Sequence, residues 1–274
     1  MNWIIGLIII IIILFILLRK VSFYETSNNY RIGNIIGFWY THSHFGESHE
    51  PLDALCAPHG NTFAEFLLKN RAGDLAESES SKILKDDKYW WDDLENYKKI
   101  YPSFNNSLRR AIEDFRGWDS IETAPNTCVV HFRVGDFLDS KTRRMEVHEI
   151  VDAMDKLPSV PDKFEILNGG KLHNENNANT TDELLKKSDD MLNDLKSKIK
   201  SKFPNSDVVI IDSKNADSDF YRMVKAPMLV TGLGSFATMA AAANENFRLT
   251  PGFTVISREN KHKDGKIYEK WVVY

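Results

Sequence analysis

The sequence has very little cysteine: two residues in 274. That excludes a disulfide-stapled scaffold, and no CxxC or Cys/His spacing suggests a zinc site. A surplus of positive charge is also missing. Lys and Arg number 35 against 39 Asp and Glu, for a net charge of -4, so nothing advertises nucleic-acid binding. Compositional extremes are absent too. With 42% hydrophobic and 27% charged residues, the chain is not collagenous, wholly disordered or a polytopic membrane protein. Its length allows one or two domains.

Charge is missing altogether from residues 1–18, MNWIIGLIIIIIILFILL. As a helix rising 1.5 Å per residue, this run spans roughly 27 Å, enough to cross a bilayer. No basic stretch precedes it. The following Arg19-Lys20-Val21-Ser22 offers no small-residue cleavage site, so the run reads as an uncleaved single-pass anchor rather than a signal peptide. Orientation stays open. Arg19, Lys20 and Arg31 after the span favour a cytosolic body. The sequons Asn105-Asn106-Ser107 and Asn179-Thr180-Thr181 would be available to a lumenal one.

The body changes texture near residue 126. Between 21 and 125, strand signals are few: Gly33–Tyr40 (GNIIGFWY) is the one candidate. Asp87–Trp118 reads as helical, with Leu94, Tyr97 and Tyr101 and then Leu108, Ile112 and Phe115 at helical spacing. Trp90, Trp91 and Trp118 suit either a core or stacking on sugar rings. The loop around His42, His44, Glu47, His49 and His59 leaves three readings open: solvated histidines, an acceptor-side base, or a zinc site.

From 126 to 274 short apolar runs alternate with helical stretches. The expected strands are Thr127–Phe132, Phe164–Leu167, Val208–Ile211, Met228–Thr231 and Phe253–Ile256. The expected helices are Met145–Leu157, one opened by a capping box at Thr180-Thr181-Asp182-Glu183, Asp219–Ala226 and Ser235–Asn244. Asn168–Thr180 reads as a connecting loop. Such alternation predicts an α/β fold with a Rossmann-like parallel sheet covered on both faces. Ligands of such sheets bind beyond the strands' carboxyl ends.

Two features fall at such ends. In Cys128–Phe137 (CVVHFRVGDF) a buried strand runs out into Arg133, Gly135 and Asp136. Arginine's planar fork fits a diphosphate, Asp136 could brace it, and His131 would share its side of the strand. In Thr231–Phe236 (TGLGSF) glycines precede a helix start, where backbone amides and Ser235 could hold an anion. With Ala237 the second feature also matches the dinucleotide fingerprint GxGxxA. A nicotinamide-dependent oxidoreductase is a minor alternative on that match.

HFRVGD fits the HxRxGD pattern of the fucosyltransferase superfamily, which includes α-1,2-, α-1,6- and protein O-fucosyltransferases. Asp219–Ala226, Met228-Leu229-Val230 and Gly234-Ser235-Phe236 resemble that family's late block in order and spacing. The resemblance covers roughly residues 126–250. It implies a GT-B-type glycosyltransferase with a reduced, mostly helical acceptor-side half at 21–125, behind the anchor at 1–20. The donor would be GDP-fucose, the reaction inverting and metal-independent, and the acceptor a glycan or protein hydroxyl. No cofactor or metal is expected beyond the donor substrate. Arg133 would bind the donor's β-phosphate, with His131 and Asp136 shaping that site. Gly135, Gly234, Ser235 and Phe236 would line the donor pocket. Asp219 is a possible donor contact or an N-cap, and His42, His44 and Glu47 are possible acceptor-side groups. The family pattern often has a second arginine after the first, and here that position is Val134. A binding module that has lost turnover is the alternative this departure suggests.

Overall fold

The computed structural model describes residues 36–37, 39–41, 43, 62–70, 72, 82–84, 94–118, 120–121, 123–135, 138, 145–167, 181–211, 216–251 and 271–273. The expected anchor at 1–18 and the loop at 168–180 lie outside them. Among the described residues no helix is long and apolar enough to cross a membrane.

Short apolar runs with side chains buried on both faces form a parallel sheet. Strands β1 (Thr127–His131), β2 (Lys163–Leu167), β3 (Asp207–Ile211), β4 (Met228–Thr231) and β5 (Phe247–Pro251) are all parallel. The short β6 (Trp271–Val273) runs antiparallel to β5. The strand order is β3-β2-β1-β4-β5-β6. From β1 the chain winds outward through β2 and β3, then returns to lay β4 on β1's other side. The order therefore reverses between β1 and β4, the doubly wound arrangement with its crevice at their carboxyl ends.

Helices cover both faces. On one side lie α3 (Val147–Ala153), continued by a 3-10 turn at Met154–Lys156, and α4 (Asp182–Lys202). Their Ile150, Met154, Leu192, Leu195 and Ile199 pack on Cys128, Val130, Phe164 and Val230. On the other side lie α5 (Ala216–Lys225) and α6 (Ser235–Ala243), with α1 (Thr62–Lys69) and α2 (Leu94–Asp114) from the N-terminal part. Phe63, Leu67, Phe104, Leu108 and Ile112 join Val129, Leu229, Phe220 and Met239–Ala243 in one cluster. Alanines along α6 keep that helix close to the sheet.

Polar ties fix these layers. Asn244, fully buried, donates to the carbonyls of Met223 (2.8 Å) and Ala226 (2.9 Å), joining the ends of α5 and α6. Tyr101 Oη and Arg109 Nε of α2 donate to the Ala242 and Ala243 carbonyls at 3.4 and 3.3 Å. Arg248 donates to Asn244. These donors meet the last carbonyls of α6, which the helix itself leaves unsatisfied. Glu165 is buried on β2 beneath α5, held by Arg222 (2.7 Å) and Lys163 (2.8 Å).

Several expectations need correcting. Ile36, Trp39, Tyr40 and Thr41 are helical and buried, not a strand. The three- and four-residue spacing of Ile36, Trp39 and Tyr40 puts them on one helical face, and Thr41 Oγ1 donates back to Gly37 O at 3.2 Å. The cap of α4 is Thr181, one residue later than the expected box. Its Oγ1 accepts from Leu184 N at 3.2 Å, and Glu183 pairs with Lys187. The fifth strand is Phe247–Pro251, and Phe253–Ile256 lies outside the described residues. Trp118 is a packing residue: its ring stacks on Tyr221 at 4.6 Å and its Nε1 donates to Ile112 O at 2.8 Å. Trp90 and Trp91 lie outside the described residues.

Candidate functional site

The crevice at the sheet's carboxyl edge is built where β1 and β4 run out side by side. Their last paired residues are His131 and Thr231. One residue on, Gly232 N donates to His131 O at 2.6 Å. A Cβ on Gly232 would stand 3.2 Å from that oxygen and 3.4 Å from Arg133 N. The glycine therefore lets the two chains stay together past the ladder.

Beyond β1 the side chains keep alternating. Phe132 and Val134 are buried on the α3/α4 side. Arg133 goes to the other side, toward the start of α6. Its guanidinium lies against Gly234: a Cβ there would be 2.7 Å from Nη1, 3.6 Å from Cδ and 3.8 Å from Cζ. Gly234 is the N-cap of α6, with φ 121° and ψ 152°, a backbone region essentially confined to glycine. Ser235 and Phe236 follow as the first helical residues. So the two sequence features expected at strand ends meet in space, side chain against backbone. Arg133, Gly234, Ser235 and Phe236 are all partly exposed.

His131 stands on the same side as Arg133 but is sunk deeper, at 8% exposure. Its ring lies 5.7 Å from that of Phe236, and its buried Nδ1 has no hydrogen-bond partner. Burial pushes its pKa down to about 4, with a weaker opposing effect from its own backbone. At neutral pH the imidazole is uncharged. Arg133 and the positive end of the α6 dipole are then the cationic elements that Arg133's meeting with Gly234 brings together.

Gly135 turns the chain after Arg133 with φ 77°. Its N–H donates to Ser188 Oγ at 3.2 Å, and that hydroxyl donates to Leu184 O at 2.9 Å. Ser188 was not foreseen as part of this region. Its signal is positional: it occupies the buried stripe of α4 that continues through Leu192, Leu195 and Ile199. Asp136 lies outside the described residues, as do His42, His44 and Glu47 and the other loop histidines.

Asp219 is buried in the first turn of α5 and is not its N-cap, because the helix already includes Ala216. The neighbouring Phe220 ring lies 5.9 Å from Phe236 on one side and 5.9 Å from Phe63 on the other. Asp217 was also missed. Its Oδ2 accepts from Phe63 N at 2.9 Å, so a carboxylate of α5 caps the start of α1. The starts of α1, α5 and α6 are thus linked ring to ring and lead to His131.

A crevice with one arginine fork, a glycine-capped helix start and a buried neutral imidazole suits an anionic oxygen ligand such as a phosphate. Among the described residues no group of His, Cys, Asp or Glu could hold a metal ion. Cys128 belongs to the sheet core, where burial pushes its thiol far up and out of nucleophilic range. Compared with protein-family profiles, with curated proteins and with solved structures, the chain matches none.

Proposed function

We propose that this protein is a glycosyltransferase that takes its sugar from a nucleoside diphosphate, with GDP-fucose the donor its fucosyltransferase-like motifs favour. The observation that carries the reading is the contact between Arg133 and Gly234 at the reversal of strand order. It unites the two motifs of the resemblance where doubly wound sheets bind nucleotides.

The roles follow from the chemistry. As the glycosidic C–O bond breaks, negative charge grows on the leaving diphosphate. A fixed guanidinium aimed at that charge acts as oxyanion-hole donors do, an effect worth about 3–4 kcal/mol. In this reading the amides at the start of α6 hold the second phosphate and Ser235 adds a hydroxyl donor. His131, neutral at working pH, contributes a hydrogen bond and no charge. Asp219 and Phe236 line the nucleotide's side of the pocket. The acceptor is a glycan or protein hydroxyl, approached from the N-terminal part. Inversion, metal independence and a membrane anchor at residues 1–18 complete the proposal.

Val134 favours a second reading, a nucleotide-sugar- or glycan-binding module without turnover. Its side chain is 1% exposed and packed in the core. The position that often carries a second arginine is therefore committed to packing here.

Donor hydrolysis by the full chain in detergent micelles separates the two. GDP release from GDP-fucose, unchanged by EDTA and lost in Arg133→Ala with the melting temperature retained, is the expected result. Turnover of a UDP-sugar instead would overturn the donor. Turnover within a few-fold of normal in Arg133→Ala would overturn the phosphate role. Binding of GDP with no turnover of donor and acceptor mixtures would establish the second reading.

A further inference from the structure

We infer that Gly234 is a positioning residue for Arg133: its bare Cα face is the surface that holds the guanidinium in its anion-binding pose. The inference rests on the proposed reading of this crevice and deepens it, since the motif alone would make Gly234 only a lining residue.

Two independent observations require glycine at this position. The backbone angle, φ 121°, is one that a side chain strains. That requirement by itself would be satisfied by any tight turn into a helix. The second is directional. The missing Cβ points at the arginine, 2.7 Å from Nη1 and within 4 Å of Cδ and Cζ. Three atoms along the side chain share one wall. An arginine has four rotatable bonds, and its fork recognises an anion only when its plane is held. At this wall, a methyl group would occupy the volume of the guanidinium and displace its tip. The tip is the flexible end of the side chain, so the displacement leaves the sheet intact and reorients the donor fork.

The neighbouring glycine acts differently. Gly232 meets backbone, with its nearest atom His131 O. It governs the approach of the two strands, whereas Gly234 governs one side chain. A substitution at Gly232 would press on the His131 carbonyl and the Arg133 amide, so it disturbs the exit of β1 rather than the guanidinium.

The test is a double-mutant cycle with GDP as the probe, read by calorimetry on the full chain in detergent micelles. Arg133→Ala is expected to weaken GDP about 10- to 100-fold, the range of one charge-assisted contact. Gly234→Ala should weaken it by a comparable factor. In the double variant the second substitution should add less than about threefold, because the group that glycine positions is already gone. Multiplying losses would overturn the inference while leaving the crevice as the anion site. No GDP binding by the unaltered protein, or none of it lost in Arg133→Ala, would overturn the reading of the crevice and the inference with it. Should Gly234→Ala fail to fold, Arg133→Lys decides. It keeps the charge and loses the flat fork, so affinity should fall about as far as in Arg133→Ala. Affinity within about threefold of normal would show that charge suffices and overturn the inference.

Discussion

At the scale of single residues, His131 carries a consequence for stability. Its pKa falls from 6.5 to about 4 on folding because burial disfavours the charged ring. Between those values the unfolded chain binds a proton that the folded chain excludes, so stability rises with pH across this window. The contribution is complete above pH 6.5 and is lost as the pH falls toward 4, by roughly 3 kcal/mol in total. Urea unfolding from pH 7 to 4.5 should show that slope, and His131→Phe should flatten it. An unchanged slope in His131→Phe would mean that other groups govern acid stability. Burial also bears on the sequons. Asn105 is 6% exposed and packed among Tyr101 and the end of α6, so a glycan there is incompatible with the seating of α2. Thr181 of the second sequon spends its hydroxyl on capping α4.

At the scale of elements, legibility followed burial geometry. A strand covered on both faces must be a continuous apolar run, and Met228–Thr231 was readable end to end for that reason. Gly33–Tyr40 is also largely apolar, but its buried Ile36, Trp39 and Tyr40 fall three and four apart, which is a helical face. Phe247–Pro251 was not foreseen as a strand because Arg248 interrupts its apolar run after Phe247, and that arginine is drawn aside to Asn244. Arg133 and Gly234–Phe236 were legible as candidate site residues because each stands where a strand gives out. Ser188 and Asp217 were not, because their partners lie 53 and 154 residues away in the chain. No spacing rule reaches that far. Glu165 shares this origin: a carboxylate inside a strand makes sense only once Arg222 of α5 covers it. With Glu165 side-chain exposure at 6% and Arg222 at 21%, Arg222→Ala should cost on the order of 2–3 kcal/mol, since Lys163 remains to the carboxylate. Replacing both by Met should cost less than Arg222→Ala alone, because no buried charge is then left behind. Urea midpoints of the variants decide, and a double variant worse than the single would show the pair to be a net source of stability.

At the scale of the whole molecule, the N-terminal helices and the sheet stabilise each other. Side chains from Ile36 to Ile112 share one cluster with Val129, Leu229 and α6. Tyr101 and Arg109 of α2 hold the last carbonyls of α6, the helix whose first residues face the crevice. Asp217 of α5 caps α1. Loss of the N-terminal helices would therefore uncover the sheet face and release both ends of the helices that shape the site. Cooperative unfolding of the described parts follows. In a urea series followed by hydrogen exchange, peptides from α2, β1 and β4 should lose protection together. The buried Cys128 thiol should become reactive at the same urea concentration. Asp217→Ala leaves the Phe63 N–H without its acceptor, at a cost of roughly 1–3 kcal/mol, and should move all of these transitions down together. Earlier loss of protection in α2, with Cys128 still inaccessible, would show that the sheet stands without its N-terminal cover. The N-terminal helices would then be a separable unit rather than a part of the crevice's support.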